Sequence, residues 1–132
     1  MPIENVTTTE RSLSISQVAE RTGLTTHALR YYERVGLMLE RIDRASSSHR
    51  RYSEADVRWV IFITKLRSTT MSISRVLEYV NLARRGEETI PERLELLLIH
   101  RINVAAQLDE MTISLAAIDF KIATYQGRTP TE

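Results

Sequence analysis

Apolar residues recur along the 132-residue chain with three spacings, and each spacing predicts a different element. Near the front they mark two short helices. Ser14, with Gln17 three residues on, opens the first as a capping box, and Val18 and Ala19 are its apolar positions. Thr22-Gly23-Leu24 makes a tight turn, and Thr25 is the hydroxyl N-cap of the second helix. Ala28, Leu29 and Tyr32 then share one face, which leaves His27, Arg30, Tyr31 and Arg34 pointing elsewhere. Gly36 stands just past the end, where a left-handed residue costs least. Next the period changes to two. Alternation around residues 38–42 and again around 49–52 predicts two short strands about a Ser-rich loop, a wing.

The helical period returns at Ser53-Glu54-Ala55-Asp56, a Ser N-cap with an acid at the third helical position. Val57, Val60, Ile61, Ile63, Thr64 and Leu66 supply the apolar face, and Trp59 and Phe62 add bulk. A single tryptophan at this spacing reads as core. Arg67-Ser68-Thr69-Thr70 ends the helix. Ser72 caps another, with Ile73, Val76, Leu77, Val80, Leu82 and Ala83 inward, and Arg84-Arg85-Gly86-Glu87-Glu88 closes it with cations at the negative helix end.

The third spacing fills the rear of the chain. Thr89 as N-cap, Pro91 in the first turn and Glu92 at the third position start a helix, and no Gly or Pro follows until Gly127. Leu94, Leu97, Arg101, Val104, Leu108, Met111, Leu115, Ile118, Ile122 and Tyr125 alternate steps of three and four, interrupted only by the charge of Arg101. A sustained 3.5-residue repeat predicts a coiled coil. Residues 91–125 would span roughly 52 Å at about 1.5 Å per residue. A small domain cannot cover that length, so the seam should pair with a second copy. The expected organisation is mainly α. It comprises a tail (1–12), a winged helix-turn-helix domain (13–83), a hinge (84–90), a coiled-coil dimerisation helix (91–126) and a second tail (127–132).

Composition is ordinary for a globular protein, with 27% charged and 42% hydrophobic residues. The distribution of charge says more. Residues 11–67 hold eleven Lys and Arg against six Asp and Glu, a surplus of +5, whereas residues 68–132 hold seven against nine, −2. A polyanion would then meet the front half alone, unless the surface charge is merely scattered. No apolar run reaches the length of a membrane span, and no signal-peptide pattern stands at the N-terminus. The absence of cysteine fits a reducing cytoplasm and rules out a thiolate metal site or thiol-oxidation switch. His27 and His49 lie in the front half. His100 stands alone on the long helix and reads as an ordinary surface or core residue. No Ser/His/Asp signature and no phosphate-cradling Gly loop occur. An enzyme is therefore not expected, and neither catalytic residues, nor a metal, nor a cofactor.

The run Ile15-Ser16-Gln17-Val18-Ala19-Glu20-Arg21-Thr22-Gly23-Leu24, followed by Leu29-Arg30-Tyr31-Tyr32-Glu33 and Gly36-Leu37, resembles the N-terminal signature of the mercury-resistance-regulator (MerR) family. These are dimeric winged-helix transcription regulators. His49-Arg50-Arg51-Tyr52 aligns with the family's wing strand, while Ser48 and Thr70 stand where the family commonly has Gly. The resemblance implies an antiparallel pairing of the long helices between two subunits. It also implies a promoter with too long a spacer, which the activated dimer bends and untwists so that RNA polymerase engages both of its elements. Many relatives sense soft metals or electrophiles through cysteines at the end of the long helix, and this chain has none. No added C-terminal drug-binding domain is expected. A small organic effector at the hinge between Leu82 and Leu98, or no effector, remain open.

Two short helices joined by a Gly-containing turn place the second helix in the DNA major groove. Arg30 is suited to the O6/N7 edge of guanine. Thr25, Thr26 and His27 occupy the helix N-terminus, where phosphates or base edges approach, and Tyr31 offers a hydroxyl to phosphate. In the wing, Arg44, His49 and Arg50, beside Arg41 and Arg51, reach phosphates or a narrow minor groove. The resemblance places Arg67 near the backbone. Any of these could instead be a surface ion pair, as Arg30 has Glu33 and Arg34 nearby. A symmetric dimer predicts a pseudo-palindromic site. The competing reading is a helical dimeric interaction module without specific DNA binding; it explains the seam but not the basic wing.

Overall fold

In the computed structural model, which describes residues 11–40, 43–44 and 50–128, helices carry most of the chain. The order is β1 (Arg11–Leu13), α1 (Ile15–Thr22), α2 (Thr26–Val35), β2 (Asp43–Arg44), β3 (Arg50–Ser53), α3 (Glu54–Ser68), α4 (Ile73–Arg84), a 3-10 turn (Glu87–Thr89) and α5 (Ile90–Tyr125). The chain divides into two compact units, residues 1–93 and 94–132.

Capping side chains set the helix starts in the first unit. Ser14 and Gln17 satisfy each other's backbone N–H groups at 3.2 and 2.8 Å. Ser53 and Asp56 do the same at 3.0 and 2.9 Å. The Thr25 and Ser72 hydroxyls accept from the N–H groups of Ala28 and Arg75. Each such cap stabilises its helix by about 1 kcal/mol. The helices close on one core, in which Val18, Leu29, Leu37, Tyr52, Val60, Ile63, Val76 and Val80 are fully buried. Strand β3 lies between β1 and β2, antiparallel to both. Arg21 reaches from α1 to the start of α3 and holds both carboxylate oxygens of Glu54, at 2.6 and 2.7 Å. These hydrogen bonds keep the Glu54 carboxyl below its ordinary pKa and raise that of Arg21.

Four expectations from the pattern of residues are corrected. Arg11 and Ser12, expected in a flexible tail, form β1 with Leu13, and its pairing partner β3 lies some forty residues on. The first wing strand does not start near Met38. Leu37 and Met38 are buried in the core, residues 38–40 form a bend, and the strand begins at Asp43. Ile61 is exposed, whereas Val57, Val60, Ile63 and Leu66 form the buried face of α3. Thr89 belongs to the 3-10 turn that runs into α5. Its buried hydroxyl points back, 2.6 Å from the carbonyl of Leu82 and 2.9 Å from that of Gly86.

The second unit is the bare part of a 36-residue helix. Of residues 94–128, Leu96 alone is buried. The expected seam lies open: Leu108 is 65% exposed, Met111 69% and Ile118 57%. A second apolar stripe, Ile99, Ile102, Ile113 and Phe120, is exposed as well. At 3.6 residues per turn it falls on the far side of the helix from the seam.

Candidate nucleic-acid interface

The turn between α1 and α2 is built by two side chains and one glycine. The Thr22 hydroxyl donates to Val18 O at 2.8 Å and accepts from the N–H of Leu24. Gly23, at φ +79°, closes α1 through its N–H to Ala19 O. Helix α2 then starts at its Thr25 cap and ends at Gly36, at φ +89°, whose successor Leu37 bonds back to Tyr32 O. One face of α2 is fixed to the core by Leu29 and Tyr32, the latter with its hydroxyl 3.3 Å from that of Thr64 on α3.

With that face anchored, His27, Arg30, Tyr31 and Arg34 project together into solvent, spaced as neighbours on a helix surface. The Arg34 guanidinium lies over the Tyr31 ring, 5.6 Å from its centroid, a cation–π contact that holds both at the surface. Among the described residues Arg30 and His27 have no hydrogen-bond or ion-pair partner. The alternative of an Arg30 ion pair with Glu33 is thus not what the fold adopts. Thr25 is exposed and Thr26 half-buried at the start of the same helix.

In the wing, Arg44 faces Arg50 across the β2–β3 ladder. Their side chains, and His49 as a whole, lie outside the described residues. Arg67 sits in the last turn of α3 and donates to Met71 O at 2.7 Å, so part of its fork closes the turn into α4. Thr70 in that turn adopts φ +72°, a left-handed conformation that a β-branched residue rarely takes.

Two residues next to the interface, Trp59 and Arg84, have contacts that their local pattern, a core position and a helix-end cation, does not mark. The Trp59 ring stacks on Tyr79, with centroids 6.1 Å apart, and its Nε1–H donates to Leu37 O at 2.7 Å. Arg84 donates from Nη2 to Gly36 O and Met38 O at 3.2 and 2.5 Å, and from Nε to Leu39 O at 3.1 Å. The bonds join residues 22 to 48 positions apart. The one available signal is chemical: a half-buried indole N–H must find an acceptor, and the guanidinium of Arg84, though exposed, carries more donors than a single partner can take.

Among the described residues, no cluster of three or more His, Cys, Asp or Glu is placed to hold a metal ion, and no helix is long and apolar enough to cross a membrane. Residues 13–82 match the family described as MerR HTH family regulatory protein. The chain belongs to this family. Similar proteins include the HTH-type transcriptional regulator AdhR of Bacillus subtilis, 40% identical over 89 residues. That alignment covers 67% of this chain and 63% of AdhR, a little under two thirds of its length. An uncharacterized HTH-type transcriptional regulator of Haemophilus influenzae is 31% identical over 84% of this chain and 82% of its own. Among solved structures, HiNmlR, a MerR family regulator lacking the sensor domain and bound to promoter DNA, superposes with a TM-score of 0.78 at 30% identity, covering 86% of this chain and 90% of that one. This MerR-family member is a DNA-binding transcription regulator, not an enzyme.

Proposed function

We propose that two copies of the chain form a symmetric dimer that binds a pseudo-palindromic promoter element and distorts it to control transcription by RNA polymerase. The observation that carries the reading is the outward face of α2. Arg30, without a partner among the described residues, stands beside His27, Tyr31 and Arg34 on a helix whose other face is locked into the core. Arg30 reads a guanine edge. Thr25, Thr26, His27 and Tyr31 meet phosphates or base edges at the helix start, and Arg44, His49, Arg50 and Arg67 hold the DNA backbone. The dimer forms along Leu94, Leu97, Val104, Leu108, Met111, Leu115, Ile118 and Ile122, and residues 84–90 act as the hinge between a DNA-binding domain of residues 13–83 and the pairing helix of residues 91–126. The exposed seam supports this pairing, because an apolar stripe of that length is otherwise a liability in water.

Distortion of the promoter is what membership of the MerR family implies: a duplex held by two reading heads is bent and untwisted so that RNA polymerase engages both promoter elements. The effector is not a thiolate-bound metal, since the chain has no cysteine. A small organic molecule near the hinge, or none, fits the residues. The protein acts in the cytoplasm, where promoter and polymerase are. The test is a footprint on the DNA upstream of its own gene at two salt concentrations. A protected pseudo-palindrome with hypersensitive central bases, weakening at higher salt, is the expected result. Absence of protection on that fragment and on random duplex DNA at low salt would instead favour a dimeric interaction module.

A further inference from the structure

The segment that leaves the recognition helix for the wing, residues 36–39, has no regular structure, yet each of its four carbonyls is held by a side chain from another helix. Arg84 of α4 takes Gly36, Met38 and Leu39, and Trp59 of α3 takes Leu37. Buried or half-buried carbonyls normally find partners in a ladder or helix. Here neither is available, because α2 has ended and β2 begins only at Asp43. A guanidinium can hold several such carbonyls at once, because its planar fork presents several N–H groups in fixed directions, and an ammonium does not. The remaining arm of Arg84, Nη1, lies 3.4 Å from Asn81 Oδ1 one turn back, and no carboxylate pairs with it among the described residues. The positive charge also sits at the carbonyl end of α2, where the helix dipole favours it.

We propose that Arg84 is a positioning residue that fixes the root of the wing against the recognition helix, and so determines whether helix and wing engage DNA together. Trp59 acts with it through Leu37. This rests on the DNA-binding reading above and adds to it a residue that touches no DNA. Arg84 lies two positions before Gly86, at φ +97°, whose carbonyl receives the Nη2–H of Arg93 in the first turn of α5. The wing root is therefore tied to the helix that ends at the turn into α5.

The test uses the full-length protein with Arg84→Lys, which keeps the charge but loses the fork, and Trp59→Phe, which keeps the ring but loses the N–H. In the DNA-free protein, amide exchange should accelerate about tenfold over residues 37–40 and 50–53 for Arg84→Lys, with protection of α1 and α3 unchanged. On the upstream fragment that the parent protein protects, hydroxyl-radical cleavage should return outside the major-groove half-sites, while the half-sites themselves stay protected. Affinity for that fragment should fall about tenfold, and Trp59→Phe should repeat the pattern more weakly. Unchanged exchange and an unchanged footprint in Arg84→Lys would overturn the proposal. So would an even loss of protection across α1 to α4, which marks a general structural role. A parent protein that leaves no footprint on any duplex overturns the DNA-binding reading, and the proposal with it. A parental footprint that Arg84→Lys leaves intact overturns the proposal alone.

Discussion

The reading head and the long helix use the same kinds of apolar residue in opposite ways. Between residues 11 and 93, Val18, Leu29, Val60, Ile63, Val76 and Val80 meet within one chain and are withdrawn from water completely. Beyond residue 93, Leu108, Met111, Leu115 and Ile118 remain more than half exposed, though their spacing is the more regular of the two. Regularity of pattern therefore says that a face will be buried, not that the same chain will bury it. The first unit encodes its own partner surfaces. The second leaves its apolar stripes uncovered.

That contrast can be broken most severely at the seam. In a symmetric dimer each substitution enters the interface twice, and each leucine covered there contributes about 1.5–3 kcal/mol. Leu108→Asp with Leu115→Asp should give a monomer by light scattering at micromolar concentration and abolish specific DNA protection, with the first unit still folded. A dimer of unchanged mass would place the pairing surface elsewhere, the stripe of Ile99, Ile102, Ile113 and Phe120 being next to test. Leu29→Ala strikes the other side of the comparison. This fully enclosed side chain should lose about 2–5 kcal/mol of stability in urea unfolding. Arg30→Ala should leave both units intact, since Arg30 has no partner among the described residues, and weaken binding to the specific site by about 1–3 kcal/mol in titrations. Equal loss on random DNA would reassign Arg30 to a phosphate. The smallest effect runs the other way. Thr70→Gly relieves a left-handed β-branched residue and should raise stability by roughly 0.5 kcal/mol, after allowance for the extra freedom of glycine in the unfolded chain.

What could be read in the residues was whatever is decided within four positions. The capping pairs Ser14–Gln17 and Ser53–Asp56, the Thr25 and Ser72 caps and the left-handed Gly36 all follow from local hydrogen-bond chemistry, and all are present. So are the two helices that present His27, Arg30 and Tyr31. The remainder depends on partners distant in sequence. Strand β1 is three residues without alternation, and it is a strand only because β3 offers an edge. Met38 fits an alternating pattern, but the core takes it and Arg84 takes its carbonyl. Thr89 has the composition of a cap, yet the 3-10 turn in which it is the last residue directs its hydroxyl toward Leu82. Trp59 reads as core by its spacing, and only the fold reveals that its N–H is spent on the wing root. The second stripe of α5 is less plain in the residues, because Ala106, Asp109 and Ala116 interrupt it.

If the bare helix pairs with a second copy as proposed, durability becomes a matter of numbers of molecules. A fold completed by a second copy is stabilised by mass action. Each tenfold dilution of the chain removes about 1.4 kcal/mol from the assembled state. Newly made chains at low abundance would meet proteases more often than twins, and chains at high abundance the reverse. The concentration of such a regulator and its lifetime would then rise and fall together, which sharpens any threshold set at its promoter without a further binding site.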